Sequence, residues 1–238
     1  MTNRARDPHG AGIQNAEWFR LTYGNNASAQ CEVCGDELVL RVAHPPHTVT
    51  HFAHKSGSQC SSIESARRHF LDLPPSAKDP QNGRRVREHL LANLYPIYLK
   101  AFSISGRKLA WGDFQRAIID AQQRGLFDYA GLPVHYLPYL LLCICPQKFH
   151  DKTTYDTRDA YFVLQSGLKH FDDLWNKPDQ VAQTLWKVSH IERHATRDPQ
   201  GPGELFTELE AIAIDDAPFY IPPWLDKAHA KLAPHLGL

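Results

Sequence analysis

The chain has 238 residues, 26 Lys and Arg against 26 Asp and Glu, 42% hydrophobic residues, 14 His and 5 Cys. That balance excludes an intrinsically disordered chain and supplies apolar mass for one large domain or two small ones. The longest nearly uncharged apolar stretch, residues 137–146, is far shorter than the roughly 20 residues that span a bilayer, so no membrane segment and a cytoplasmic location are expected.

Residues 1–15 are polar and glycine-containing, which predicts a flexible arm. Residues 17–23, 37–42 and 48–53 are rich in β-branched and aromatic side chains and are separated by Gly, Asn, Asp and Pro, so they read as three short strands. A helix is expected over 62–73, stopped by Pro74 and Pro75, with a linker over 74–83. Helical spacing of apolar residues then predicts helices over 84–101, 111–123, 156–175, 179–194, 204–214 and 224–236. The stretch 137–145 is apolar all round and reads as their buried centre. The expected fold class is α+β: a flexible arm (1–15), a small β-rich zinc-binding unit (16–75), then a larger, mostly α-helical domain (76–238).

The strongest chemical signal lies in the β-rich unit. Cys31 and Cys34 stand two residues apart with Gly35 behind them, the form of a knuckle that presents two thiolates to one metal from a tight turn. His51, His54 and Cys60 follow within thirty residues, and an odd cysteine count in such a cluster points to metal ligation in a reducing compartment rather than disulfides. Strand alternation sends His51 and His54 to opposite faces, so only one binds. His54, nearer Cys60, is favoured, leaving His51 to support the site from behind. The expected cofactor is one structural Zn2+ on Cys31, Cys34, His54 and Cys60. Cys143 and Cys145 sit in the most apolar segment and read as core.

The Cys31-x-x-Cys34-Gly35 knuckle, the His51-Phe52-Ala53-His54 run, Cys60, and Glu64-Ser65 followed by His69 resemble the N-terminal zinc-finger-like unit of the competence protein CoiA-like family, over residues 28–70. The resemblance implies a bacterial or phage DNA-processing protein in which the finger precedes a nuclease domain of the restriction-endonuclease type. Such a nuclease needs an acidic-x-Lys pair to hold Mg2+ beside the scissile phosphate. Past Pro75 that triplet is not found, and Asp226-Lys227 lacks the spacer. The implied arrangement is therefore a shared finger on a different, helical partner domain.

Neutral overall charge hides an asymmetry: residues 61–125 carry 11 basic and 6 acidic groups, whereas 200–238 carry 2 and 6. Arg67, Arg68, Arg84, Arg85 and Arg87 are the candidate nucleic-acid contacts of a basic face, and the acidic C-terminal region is the candidate surface for a protein partner. Arg84 and His89 also have the spacing of helical HEPN-type ribonucleases, but 15 Arg and 14 His supply several such pairs by chance. No Gly-x-Ser-x-Gly elbow or phosphate-binding P-loop string occurs. The expected function is a non-enzymatic, zinc-containing nucleic-acid-binding accessory of a DNA-processing or defence system. The alternatives are a protein-interaction subunit with purely structural zinc, or a nuclease.

Overall fold

The computed structural model describes residues 2–44, 49–145, 148–152, 156–164, 170–175, 183–193, 204–220 and 223. The chain divides into two units: Met1–Pro75 with Gln147–Ile214, and Ser76–Pro146 with Asp215–Leu238. The first unit is thus interrupted in sequence by the helical segment of the second.

The first unit begins with two strands where a flexible arm is expected. β1 (Arg4–Arg6) and β2 (Ile13–Asn15) pair antiparallel, with Arg4 opposite Asn15. Asp7 closes their connection: its backbone N–H donates to Gly12 O at 2.7 Å, and its carboxylate accepts from Ala11 N–H at 2.8 Å. Local side-chain bonding of this kind orders a polar loop without apolar burial.

Residues 17–23, expected as a strand, lie in helix α1 (Ala16–Tyr23). Asn15 caps it by accepting from Trp18 N–H at 2.8 Å, and Gly24, at φ +85°, ends it with its N–H on Arg20 O. The aromatic residues suggest a strand, but the caps and the i, i+3 spacing of buried Ala16 and Phe19 select a helix. β3 (Ser28–Gln30), β4 (Glu37–Arg41) and β5 (His51–His54) complete a five-stranded sheet of order β2-β1-β3-β4-β5. Residues 62–73 form two short 3-10 turns, Glu64–Ala66 and His69–Asp72, instead of one helix.

The largest correction concerns the expected helical domain. The expected helices over 156–175, 179–194 and 204–214 are overturned where the chain is described: β6 (Phe149–Lys152), β7 (Asp156–Leu164), β8 (Thr184–Arg193) and β9 (Glu204–Ala213) make a four-stranded antiparallel sheet in sequence order, and only a short 3-10 turn, Phe171–Leu174, is helical among the described residues of those spans. Among the described residues the fold contains two antiparallel sheets, the helix α1 and a helical segment, and the expected domain over 76–238 is not mostly α. Ala160 to Leu164 are all buried, so β7 shows no alternation of apolar and polar residues. A strand covered on both faces loses the period-2 signal and mimics a helix stripe. The expected helix over 224–236 lies outside the described residues.

Tyr161 and Val163 of β7 lie opposite Val188 and Trp186 of β8, and all four join Phe19, Leu38, Leu40 and Phe52 in one core. Thr2 links the sheets directly. Its N–H donates to Phe52 O at 3.2 Å, and it pairs in parallel with Thr207 of β9.

The second unit holds α2 (Pro80–Ala92), α3 (Leu94–Ile104), α4 (Trp111–Gln123) and α5 (Leu137–Ile144). Asp79 caps α2 on the N–H groups of Gln81 and Asn82, with Pro80 at the first helical position. All eight residues of α5 are buried. Burial pushes the Cys143 thiol up, consistent with a core residue. No helix among the described residues is long and apolar enough to cross a membrane.

Candidate metal centre

The loop between β3 and β4 is built to present sulfur. Cys31 N–H donates to Asp36 O at 2.8 Å and Gly35 N–H to Cys31 O at 3.0 Å, a turn that needs Gly35 at φ +77°. Inside the turn, Val33 N–H points at Cys31 Sγ and Asp36 N–H at Cys34 Sγ, both at 3.4 Å. The Asp36 N–H favours the Cys34 thiolate, against the larger upward push of the neighbouring sulfurs.

The other two ligand positions come from separate elements. The β4–β5 register puts His54 opposite Leu38 at the end of β5. Cys60 follows a turn through Gly57, with its N–H on Ser58 Oγ at 3.3 Å and its sulfur 3.1 Å from Ser62 Oγ. Cys31, Cys34, His54 and Cys60 thereby converge, with all four ligand atoms within 4.8 Å of one another. Cys31 Sγ is 3.9 Å from Cys60 Sγ, and Cys34 Sγ is 3.5 Å from His54 Nε2. A tetrahedral ion with metal–sulfur bonds of about 2.3 Å and metal–nitrogen bonds of about 2.0–2.1 Å spans edges of about 3.8 and 3.5 Å. The donor set fits a metal ion, and all five cysteines of the chain are unbridged.

The protons of the cluster agree with that fit. Hydrogen bonds from the Cys31 and Cys34 sulfurs push the Cys60 thiol down, while the neighbouring Cys31 and Cys60 sulfurs push Cys34 up. Burial disfavours a charged His54, yet the adjacent Cys31 and Cys60 sulfurs outweigh it and raise its pKa to about 9. Three sulfurs this close ionise together only around a cation, which displaces their protons on binding.

His51 stands apart from the group. It is buried and donates from Nδ1 to Val49 O at 2.9 Å. His54 is thus the histidine that shares the cluster with the three cysteines.

Of the five candidate nucleic-acid arginines, Arg67 and Arg68 belong to the first unit and Arg84, Arg85 and Arg87 to the second. Arg67 is half-buried, with its guanidinium 5.4 Å from the Tyr161 ring centre, and Arg68 is half-buried too. Arg84 and Arg85 are exposed on α2, where Arg84 bonds Glu88 at 3.1 Å and Arg85 bonds Asn82 Oδ1 at 2.7 Å. Arg87 pairs with Asp128 at 2.6 Å. His89 is half-buried, and burial pushes its pKa down. In the acidic C-terminal stretch, Glu210 pairs with Lys187 at 3.0 Å and Asp215 with Lys100 at 2.7 Å.

The metal loop also borders a cleft of about 660 Å3, whose lining includes Arg4, Glu32, His190 and Thr207. Nothing in the sequence marks this cleft. Glu32 reads there as a spacer between two cysteines, and its partners come from residues far along the chain.

No protein-family model matches the chain, and no curated protein and no solved structure matches it.

Proposed function

We propose that Cys31, Cys34, His54 and Cys60 hold one structural zinc ion in a non-enzymatic, nucleic-acid-binding accessory protein. Zinc suits three thiolates and one imidazole at tetrahedral spacing, and four protein ligands leave no open position for substrate or water. When bound, the ion supplies cross-linking rather than Lewis-acid chemistry. The ligands come from the β3–β4 loop, the end of β5 and the loop before the Glu64–Ala66 turn, so one ion fixes three elements. Five unbridged cysteines fit a reducing cytoplasm.

The observation that carries the nucleic-acid reading is the charge of the helical segment: residues 76–146 contain nine basic and five acidic side chains, with Arg84 and Arg85 exposed on α2. Exposed ion pairs such as Arg84 with Glu88 contribute little, so a phosphate can replace the carboxylate at small cost. The resemblance of residues 28–70 to the CoiA-like finger supports the same reading and a place in bacterial or phage DNA processing or defence. The test is fluorescence anisotropy of zinc-quantified protein with single- and double-stranded DNA and RNA, at low and near-physiological salt. Salt-sensitive binding that weakens in an Arg84→Ala, Arg85→Ala double variant supports the reading; salt-independent binding, or none, overturns it.

One observation favours a second reading, a protein-interaction subunit with purely structural zinc. Arg87, Arg67 and Arg68 are half-buried, and Arg87 is engaged with Asp128. Retention of a protein partner by the Arg84→Ala, Arg85→Ala variant would support it.

A further inference from the structure

The cleft beside the metal loop holds a charge that the protein itself leaves incompletely satisfied. The Glu32 side chain is 3% exposed, and its Oε1 accepts no hydrogen bond from the described residues. Its Oε2 is approached by Arg4 Nη2 at 3.6 Å, beyond hydrogen-bond range, and the Arg4 side chain is 58% exposed. Arg6 adds a second positive charge that makes no ion pair with it, and a buried carboxylate compensated only at long range is costly, since such groups are ordinarily paired.

The other acids around the cleft and the smaller one adjoining it are matched by neighbours. Glu64 pairs with Lys148 at 2.6 Å, Glu210 with Lys187 at 3.0 Å, and Glu208 with Arg158 at 3.6 Å. Both clefts share Glu32, Arg4 and Thr207 in their lining, so Glu32 lies where they meet. His190 is bonded on both ring nitrogens, to Thr207 Oγ1 at 3.1 Å and Tyr161 Oη at 3.4 Å, and offers no competing site.

We propose that this cleft binds an alkylguanidinium group, with the guanidinium displacing Arg4 and pairing with the Glu32 carboxylate. The site already tolerates that chemistry, because Arg4 is itself a guanidinium held at long range. A planar, weakly hydrated fork of N–H donors matches a carboxylate better than a strongly hydrated ammonium does. Ile63 and Leu209, both partly buried, supply aliphatic wall for a methylene stem. A nucleobase edge also carries N–H donors, but it needs a ring to stack on. Phe52, the one Phe, Tyr or Trp among the described residues lining the larger cleft, is fully buried. A cavity of about 660 Å3 accommodates either a free alkylguanidine or an arginine side chain on a polypeptide.

The experiment is isothermal titration of the zinc-loaded full chain with agmatine, with an acetyl-Gly-Arg-Gly-amide peptide and with GMP. Saturable binding of agmatine or of the peptide is expected, and which of the two binds tighter distinguishes a small molecule from a partner's arginine. Glu32→Gln is expected to weaken that binding about tenfold or more with zinc content unchanged. Because Glu32 lies inside the metal loop, a second variant guards the test: Arg4→Ala removes the internal competitor and is expected to tighten binding several-fold. No binding by either guanidine, undiminished binding in a zinc-replete Glu32→Gln protein, unchanged affinity in Arg4→Ala, or binding of GMP alone would each overturn the proposal.

Discussion

The two sheets of the first unit solve the same problem by different means. Sheet β1–β5 is made of strands of three to five residues, while β7, β8 and β9 run for nine or ten. Short strands form few ladder bonds and bury little area, so the first sheet depends on the Cys31–Cys60 cluster to tie its loops together. β7 and β8 pair from Asp156–Arg193 through Leu164–Leu185, and Ala160 to Leu164 are buried on both faces of β7, so long ladders and apolar burial hold this sheet without a metal. Cross-linking substitutes for strand length where a β unit is too small to bury its own core.

The largest effect that tests this contrast is loss of a ligand. Cys34→Ser, or chelation, is expected to abolish cooperative melting of the first unit, since structural zinc contributes apparent binding free energies of about 10–16 kcal/mol. The helices α2–α5 carry none of the four ligands, so the far-ultraviolet helical signal is expected to survive. Retention of the tertiary signal of Trp18 and Trp186 without metal would break the comparison. Next is Phe52→Ala, which removes a fully buried ring packed edge-on to Phe19 at 5.0 Å and is expected to cost about 3–5 kcal/mol in chemical denaturation. Leu185→Ala, on the other sheet, is expected to cost about 2–5 kcal/mol without altering metal affinity, and a change in metal retention would show that the shared core transmits strain to the metal loop.

Smaller effects sharpen the picture at the edge of the short sheet. Asn15→Ala deletes the α1 cap and is expected to cost about 1 kcal/mol. Asp7 lies below the usual carboxylate range: burial pushes it up, but the Ala11 and His9 N–H groups and the Tyr23 hydroxyl outweigh that. A carboxyl depressed in the folded state adds stability above its unfolded pKa of about 3.9, lost as pH falls through the lower folded value. Asp7→Asn is therefore expected to flatten the acid limb of a pH-stability curve below about pH 4, and an unchanged limb would remove Asp7 from the account.

The metal cluster was legible in the sequence because ligation is local chemistry. Two Cys-x-x-Cys sulfurs, one strand-end histidine and one following cysteine need only a turn and a strand to meet. The helix over 111–123 was equally legible, since its buried Phe114, Ala117 and Ala121 leave a polar opposite face. β7 was not, because Tyr161 and Val163 alternate with Ala160, Phe162 and Leu164, which are buried as well, and this erases alternation. The Arg4–Arg6 and Ile13–Asn15 strands escaped notice because their polar sequence gives no stripe, and pairing with distant β3 is invisible locally. Arginines 67, 68, 84, 85 and 87 look contiguous in the chain, yet they belong to separate units, and charge counts along a sequence carry no such information.

The bond from Thr2 to Phe52 and its pairing with Thr207 have a consequence for the order of synthesis. The first sheet shares its core with Tyr161, Val163, Trp186 and Val188, which leave the ribosome more than 100 residues after Phe52, a contact of very high sequence separation. The helices α2 to α5 emerge in between, ahead of Asp215, which bonds Lys100 and Tyr139 from the C-terminal stretch. The nascent first sheet therefore waits with Phe52 and Leu38 less covered until β7 and β8 appear, and a metal ion captured early by the Cys31–Cys60 cluster would hold its loops in register during that interval.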